Sequence, residues 1–204
     1  TVLAAVLCAC SAAPKDVLPN KAAQPTEAPT QQAQTTQTAP TEQPTPEPDP
    51  VQQLLEEMTL EQKVGQLFLV RPDSLALSQT HDQINDAKAD GVTELTDAMR
   101  QTLAEYPVGG MVIFGKNLES PQQITQFLDD LQQASDTPLF TAIDEEGGLV
   151  ARLANNAAFD LPQYESAAAV GTSGNPEDAR AMGRTIGGYL KEYGFILDCA
   201  ALAD

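Results

Sequence analysis

Tryptophan is absent from this 204-residue sequence, and aromatic residues make up only 5% of it. None of them precedes Phe68, while nine of the fifteen prolines lie between Pro14 and Pro50. A segment that is rich in proline and lacks aromatic side chains cannot bury a hydrophobic core. We therefore predict a disordered Pro/Thr/Gln linker at residues 11–50 and assign folding to residues 51–204, which are enough for one domain.

Basic residues are also scarce. The 11 Lys and Arg residues are outnumbered by 29 Asp and Glu residues, and the formal net charge is -18. A charge of this sign opposes attraction to nucleic acid and to an anionic bilayer, so we predict no nucleic-acid partner. An acidic surface also serves solubility, and the charge alone therefore says little about a substrate.

The chain has three cysteines and one histidine. Cys8 and Cys10 are two residues apart and Cys199 stands alone in a predicted strand, so no disulfide framework is expected. Cys199 is expected to be a small buried hydrophobic residue. His81 lies among Gln, Thr, Asp and Asn residues and is expected to be solvated.

The apolar stretch at residues 1–13 (TVLAAVLCACSAA) is shorter than the ~20 residues that a transmembrane helix needs. It is typical of the apolar part of an export signal. It begins without Met and without a basic segment, so we expect a truncated N-terminus. Within it, residues 7–10 (LCAC) resemble a bacterial lipobox, in which a signal peptidase cuts before the cysteine that carries the lipid.

Cys10 is accordingly the predicted lipidation site, at the end of a signal segment that spans residues 1–10. The proline-rich linker fits an anchor, because a polyproline II spacer extends by ~3.1 Å per residue and would hold a domain away from a membrane. We expect an extracytoplasmic protein that is lipid-anchored to a bacterial cell membrane. The alternatives are an ordinary cleaved signal with an incidental cysteine and a linker without a selected length.

Strand and helix patterns alternate after residue 50. Thr59 and Gln62 form an N-cap signal between two short helices, and Ser120 followed by Pro121 begins another helix. This alternation predicts an α/β fold, either a barrel or an open doubly wound sheet. Strands are predicted at residues 66–70, 108–115 and 195–200 and from Leu139, with further helices at 94–106 and 176–193.

The stretch PLFTAIDEEGGLVARL, residues 138–153, carries the candidate chemistry. Phe140, Ala142 and Ile143 predict a strand that is buried on both faces, so the acids that follow lie at its carboxyl-terminal end. In parallel α/β folds the loops at that end line the functional cleft. Gly147 and Gly148 remove Cβ atoms where the backbone turns sharply or a ligand approaches closely.

IDEEGGLVARL resembles the strand-end signature of glycoside hydrolase family 3, in particular its β-N-acetylhexosaminidase branch. The blocks MTLEQKVGQLFLV, GGMVIFGKNLESPQQI and KEYGFILDCAALAD extend the resemblance from Met58 to the end of the sequence. Two departures stand out. Leu149 occupies a position where the family usually has Arg, and residues 199–201 read Cys-Ala-Ala where the family usually has Phe-Ala-Pro.

The resemblance implies the N-terminal half of a (β/α)8 TIM-type barrel in residues 51–204. A complete barrel typically takes ~250 residues, so we expect the 204 residues to stop after about the fourth strand. Asp144 and Arg152 match the family's Asp and its Arg eight positions later, and the resemblance makes them the predicted substrate-binding residues. Without the resemblance, Asp144 would be interpreted as a helix N-cap or turn acid and Arg152 as a surface charge.

Catalysis itself is not predicted in these residues. Retaining glycosidases need two facing carboxyl groups ~5 to 5.5 Å apart, whereas adjacent acids at a strand end diverge. Glu146 is expected to bind the backbone of the turn, and Asp198 and Asp204 to shape the pocket. The resemblance implies an acid/base from a later Lys-His-Phe-Pro-Gly-His loop and a later Asp nucleophile, so the 204 residues alone are expected to be inactive. No cofactor and no metal are predicted.

The predicted function is therefore the N-terminal part of an exported retaining glycoside hydrolase. Its expected substrates carry terminal β-linked N-acetylglucosamine and come from peptidoglycan or chitin-type sugars. The carbohydrate and the membrane, through a lipid anchor, are the only predicted partners, and no protein partner is expected. A family 3 β-glucosidase or xylosidase, and a non-catalytic sugar-binding lipoprotein, are the alternatives.

Overall fold

A parallel four-stranded sheet organises residues 49–200, the part of the chain that the computed structural model describes. The strands follow one another in chain order, and each pairs in parallel with the next. No reversal of strand order occurs in this sheet, as in a barrel and unlike a doubly wound sheet. The four strands are β1 (Leu69–Val70), β2 (Gly110–Ile113), β3 (Phe140–Ile143) and β6 (Leu197–Asp198), and a separate antiparallel hairpin consists of β4 (Glu145–Gly147) and β5 (Val150–Ala151).

The helices begin at capping residues that the sequence predicts. Thr59 and Gln62 form a complete capping box, and the Ser120 hydroxyl accepts the backbone N–H of Gln123 at 3.2 Å. These side chains stabilise helix starts because they satisfy N–H groups that have no partner within the helix. The helices are α1 (Pro50–Glu57), α2 (Leu60–Gly65), α3 (His81–Asn85), α4 (Asp97–Glu105), α5 (Pro121–Gln133), α6 (Ala167–Thr172) and α7 (Pro176–Tyr193), with 3-10 turns at Pro72–Leu75 and Gly115–Asn117.

The hydrophobic core lies between the sheet and the helices that follow its strands. Apolar residues of α5 recur at intervals of three and four, which places them on one face of the helix. That face is buried together with one face of the sheet. The residues concerned are Ile124, Phe127, Leu128 and Leu131 from α5 and Met111, Ile113 and Ile143 from the strands.

The opposite face of the sheet is partly open, and the predicted burial of β3 on both faces is wrong at Phe140. Phe140 is 50% exposed and shares a register row with Gly110 and with Leu69, which is 41% exposed. Partners in a parallel register point to the same face, and Gly110 contributes no side chain to cover its neighbours. An apolar run therefore predicted the strand but not the packing on each of its faces.

The strands at the sheet edges are shorter than predicted. Residues 66–68 continue the turn after α2, because Leu67 N–H donates to the Val64 carbonyl and Phe68 N–H to the Gly65 carbonyl. The last predicted strand contains two paired residues, and Cys199 beyond them is exposed, so its predicted burial is wrong. The prediction for His81 is confirmed, because its side chain is 90% exposed.

The predicted signal segment, the linker up to residue 48, Cys10 and Asp204 lie outside the described residues. Within residues 49–200, no helix combines the length and the apolar character needed to cross a bilayer.

Candidate active site

The carboxyl-terminal ends of three neighbouring strands carry the candidate site. Asp144 directly follows β3, Asp198 is the last residue of β6, and Lys116 follows β2 within a 3-10 turn. These strands are parallel and adjacent, so their ends meet at one edge of the sheet. This is the edge at which the sequence predicts a cleft.

Asp144 and Arg152 form an ion pair. The distance between Arg152 Nη2 and Asp144 Oδ2 is 2.9 Å, and the two side chains are 30% and 24% exposed respectively. The β4–β5 hairpin makes this contact possible, because its antiparallel pairing of Glu145 with Ala151 returns the chain to the end of β3. The structure thus brings the two predicted substrate-binding residues together at a partly open position.

Two left-handed glycines form the turn of this hairpin. Gly147 has φ +82° and Gly148 has φ +62°, a region that residues with a Cβ atom rarely adopt. A Cβ atom on Gly148 would also lie 2.4 Å from the Glu165 carbonyl oxygen. The sharp turn predicted from the double glycine is confirmed. Leu149, at the tip where the family usually has Arg, is 99% exposed.

Glu145 is the buried acid that holds this hairpin in place. Its side chain is fully buried and accepts the N–H groups of Leu153 and Ala154 and the hydroxyl of Tyr189, each at 2.9 Å. Three donors compensate a buried carboxylate for the loss of water. The backbone binding predicted for Glu146 is made instead by Glu145, one residue earlier. The alternation of side chains along a strand decides which acid faces inward, and three consecutive acids do not reveal that phase.

Burial and neighbouring charge alter the titration of the groups around Glu145. The pKa of Tyr189 is raised far above its ordinary value of 10.0, first by burial and then by the hydrogen bond to Glu145. The pKa of Asp198 is raised from 3.8, chiefly by burial. The backbone N–H of Glu145 donates to Asp198 Oδ1 at 3.0 Å and opposes part of that rise. Asp198 therefore supports the residue after Asp144 from the neighbouring strand.

A second buried network connects the ends of β1 and β2. Lys116 Nζ lies 3.3 Å from Asp73 Oδ1, and the two side chains are only 5% and 0% exposed. Asn117 Nδ2 donates to Asp73 Oδ2 at 3.0 Å, and Asn117 Oδ1 accepts the N–H of Phe114. Asp73 was not singled out in the sequence, because a single acid in a long polar loop carries no periodic signal. The network fixes this loop against the end of β2.

A cleft of about 350 Å³ lies beside the Asp144–Arg152 pair. Arg71, Lys116 and Arg152 line it, together with the Phe114 ring. The guanidinium carbon of Arg71 lies 4.0 Å from the centre of this ring and that of Arg152 lies 5.5 Å from it. The cleft is therefore lined by cationic groups, two of which lie over the same aromatic ring.

The geometry supports binding rather than bond cleavage by the adjacent acids. Glu145 is buried and fully engaged, whereas Asp144 is partly exposed, so the two carboxylates do not face one space across a sugar. Arg152 orients the Asp144 carboxylate, which retains lone pairs that can accept hydrogen bonds from hydroxyl groups. No cluster of three or more His, Cys, Asp or Glu side chains within residues 49–200 is arranged to hold a metal ion.

Comparison with known protein families shows to which family this chain belongs. The model of the family described as "Glycosyl hydrolase family 3 N terminal domain" matches residues 59–204. This chain belongs to glycoside hydrolase family 3. The matched region of this family 3 chain contains every strand of the parallel sheet and both members of the Asp144–Arg152 pair. The predicted family is confirmed, and its barrel architecture agrees with the parallel sheet.

The relatives of this family 3 chain include proteins named as hexosaminidases. It is 32% identical over 98 residues to a "Beta-hexosaminidase" of Thiobacillus denitrificans. This alignment covers 48% of this chain and 27% of the relative. It is 30% identical over 118 residues to "Beta-hexosaminidase A" of Pseudoalteromonas piscicida, covering 55% of this chain and 20% of that protein. The matches thus span about a quarter of the length of these relatives.

A solved structure shows the same fold. The family 3 β-N-acetylglucosaminidase of a Paenibacillus species aligns with a TM-score of 0.55 and 31% identity, over 70% of this chain and 24% of that protein. The fold match covers most of the described residues of this family 3 domain, and a minor part of the larger enzyme.

Proposed function

We propose that this family 3 domain is the sugar-binding N-terminal part of an exported, retaining β-N-acetylhexosaminidase. The protein would remove terminal β-linked N-acetylglucosamine from peptidoglycan or chitin-type sugars. The observation that carries the proposal is the Asp144–Arg152 ion pair of 2.9 Å, partly exposed at the carboxyl-terminal edge of the sheet. The names of the relatives and of the structural neighbour support the choice of N-acetylglucosaminides.

In the proposed role, Asp144 accepts hydrogen bonds from sugar hydroxyl groups while Arg152 holds its carboxylate in position. An ionised carboxylate binds two neighbouring hydroxyl groups well because charge-assisted hydrogen bonds are shorter and stronger than neutral ones. The guanidinium group also retains N–H donors beyond the one that contacts Asp144. Bond cleavage is assigned to other residues of the intact protein.

The test is Asp144→Asn in the intact protein, with a chromogenic β-N-acetylglucosaminide as substrate. The change keeps the size of the side chain but removes the charge and one acceptor, so kcat/KM should fall by about ten- to hundredfold, the value of one charged hydrogen bond. Asp129→Asn, an exposed position on α5, is the matched control and should behave as wild type. Wild-type kinetics in the Asp144 variant would show that this residue does not bind the substrate.

The same assay separates the enzyme classes. Hydrolysis of the N-acetylglucosaminide but not of the corresponding glucoside or xyloside supports the hexosaminidase. The reverse preference would support a β-glucosidase or xylosidase, and binding without any turnover would support a sugar-binding lipoprotein.

The proposed location is the outer side of a bacterial cell membrane, with Cys10 carrying the lipid. The lipobox-like LCAC segment and the following proline-rich residues are what support it. Cys10→Ser should release the protein from the membrane fraction of expressing cells, while Cys8→Ser, two residues away, serves as the control. Unchanged partitioning of the Cys10 variant would contradict the anchor.

A further inference from the structure

Arg152 has few contacts of its own that hold its side chain. Its Nη2 lies 2.9 Å from Asp144 Oδ2, whereas its Nε is buried and has no hydrogen-bond partner within residues 49–200. An arginine side chain has large rotamer freedom, and one hydrogen bond at its end does not remove it. The position of the guanidinium group therefore depends on the backbone at Arg152.

Glu145 fixes that backbone on both sides of the arginine. Its Oε2 accepts the N–H of Leu153 and its Oε1 accepts the N–H of Ala154, each at 2.9 Å. The Leu153 N–H belongs to the planar peptide unit that contains the Arg152 carbonyl, so this hydrogen bond restricts rotation about the Cα–C bond of Arg152. On the preceding side, Ala151 pairs with Glu145 in the hairpin.

Glu145 is itself held by two other elements. Its backbone N–H donates to Asp198 Oδ1 of β6 at 3.0 Å, and its Oε1 accepts the hydroxyl of Tyr189 on α7 at 2.9 Å. The side chain is fully buried, so water does not compete for these contacts. The backbone at Arg152 is thus connected through one carboxylate to β6 and to α7.

The contacts of Glu145 require a carboxylate, because all three partners of its side chain donate hydrogen bonds. A carboxamide has one accepting oxygen and one donating NH2 group. In either orientation, the NH2 group of a carboxamide would face one of the two backbone N–H groups. Only the carboxylate accepts from both, although Glu145 does not line the cleft beside Arg152.

We propose that Glu145 is a positioning residue of the sugar site. By binding the two N–H groups that follow Arg152, it sets the position of the guanidinium group and thereby the strength of saccharide binding at Asp144. This inference rests on the proposed function. Glu145 touches no sugar in this role and acts only through Arg152, so its effect on substrate binding should disappear when the Arg152 side chain is removed.

The test is a double-mutant cycle of Glu145→Gln and Arg152→Ala in the intact protein, with a chromogenic β-N-acetylglucosaminide as substrate. Arg152→Ala should lower kcat/KM by about ten- to hundredfold, the value of one hydrogen bond between charged groups. Glu145→Gln should lower it by roughly tenfold alone, but by only about threefold or less when Arg152→Ala is already present. Independent effects would instead multiply.

The separate values of KM and kcat distinguish positioning from loss of folded protein. A misplaced binding group weakens substrate binding, so Glu145→Gln should raise KM by roughly tenfold and leave kcat within about twofold of wild type. A smaller folded fraction would lower the apparent kcat and leave KM unchanged.

Tyr189→Phe is the matched comparison. It removes a donor from the same carboxylate but leaves both backbone N–H groups bound, so it should raise KM by only about threefold or less. If Glu145→Gln does not fold, Glu145→Asp takes its place in the cycle with the same criteria, because it keeps the charge but is one methylene too short to reach both N–H groups.

Three results would overturn the positioning role. Losses that multiply in the double variant would show that Glu145 does not act through Arg152, and wild-type kinetics in Arg152→Ala would leave it nothing to act through. Equal rises of KM in Glu145→Gln and Tyr189→Phe would show that the two backbone contacts are not what matters. Each of these results, obtained while wild type hydrolyses the N-acetylglucosaminide, leaves the hexosaminidase activity standing. If wild type does not hydrolyse it, the proposed function is refuted and the positioning role falls with it.

Discussion

Replacing Tyr189 with Phe should show how much the Tyr189 hydroxyl group, a donor to the buried Glu145, contributes to the stability of the protein. The substitution removes a single hydroxyl group, which donates to Glu145 Oε1 at 2.9 Å, and preserves the packing of a ring that is 7% exposed. The Glu145 carboxylate then keeps two donors, the N–H groups of Leu153 and Ala154. A hydrogen bond to a charged group contributes about 1.5–3 kcal/mol, so the free energy of unfolding should fall by that amount.

For a domain of this size, 1 kcal/mol corresponds to about 2–4 °C, so Tm should fall by roughly 3–12 °C in thermal unfolding of the intact protein. Tyr106→Phe, at a ring that is 57% exposed, is the matched control and should leave Tm unchanged. A Tyr189 variant with the wild-type Tm would show that the hydroxyl group does not stabilise the buried carboxylate.

The pH dependence of the free energy of unfolding provides a second test of the same prediction. The folded-state pKa of Tyr189 lies above the ordinary value of 10.0, because burial and Glu145 disfavour the phenolate. The folded protein thus retains a proton that the unfolded chain releases above pH ~10, and stability falls as pH rises beyond that point. This part of the alkaline loss should be absent from Tyr189→Phe. An identical alkaline loss in both proteins would contradict the assignment.

Three further substitutions test other parts of the structure by thermal unfolding. Gly148→Ala should lower the Tm more than Gly174→Ala. Both glycines have positive φ, but only at Gly148 would the added Cβ clash with the backbone, 2.4 Å from the Glu165 carbonyl oxygen. Equal losses of Tm would contradict the clash. Thr59→Ala should cost about 1 kcal/mol by removing the capping box of α2, and no loss would mean that this cap is not used. Asp198→Asn should gain stability relative to wild type as pH rises above about 3.8, the ordinary pKa of Asp. The raised folded-state pKa of Asp198 makes wild type lose stability as the unfolded chain releases this proton first, and a constant difference between the two proteins would refute this.

The sequence alone was sufficient for the four strands of the parallel sheet, for the longer helices between them and for the position of the site along the chain. Capping residues such as Thr59 and Ser120 act through neighbouring backbone groups, so a local pattern predicts where helices begin. The double glycine predicted a sharp turn for the same reason, since its positive φ angles are a local requirement. Asp144 and Arg152 were identified by their spacing within a family signature, and the structure places them in contact.

The surroundings of each side chain depend on how the helices and strands pack against one another. Three consecutive acids do not disclose that Glu145 is fully buried while Asp144 is accessible, because the phase of a strand is set by what packs on each face. Phe140 and Cys199 are exposed for the same reason, although their apolar neighbours predicted burial. The Lys116–Asp73 pair and the stacking of Arg71 on Phe114 join residues more than 40 positions apart, and no local pattern encodes such contacts.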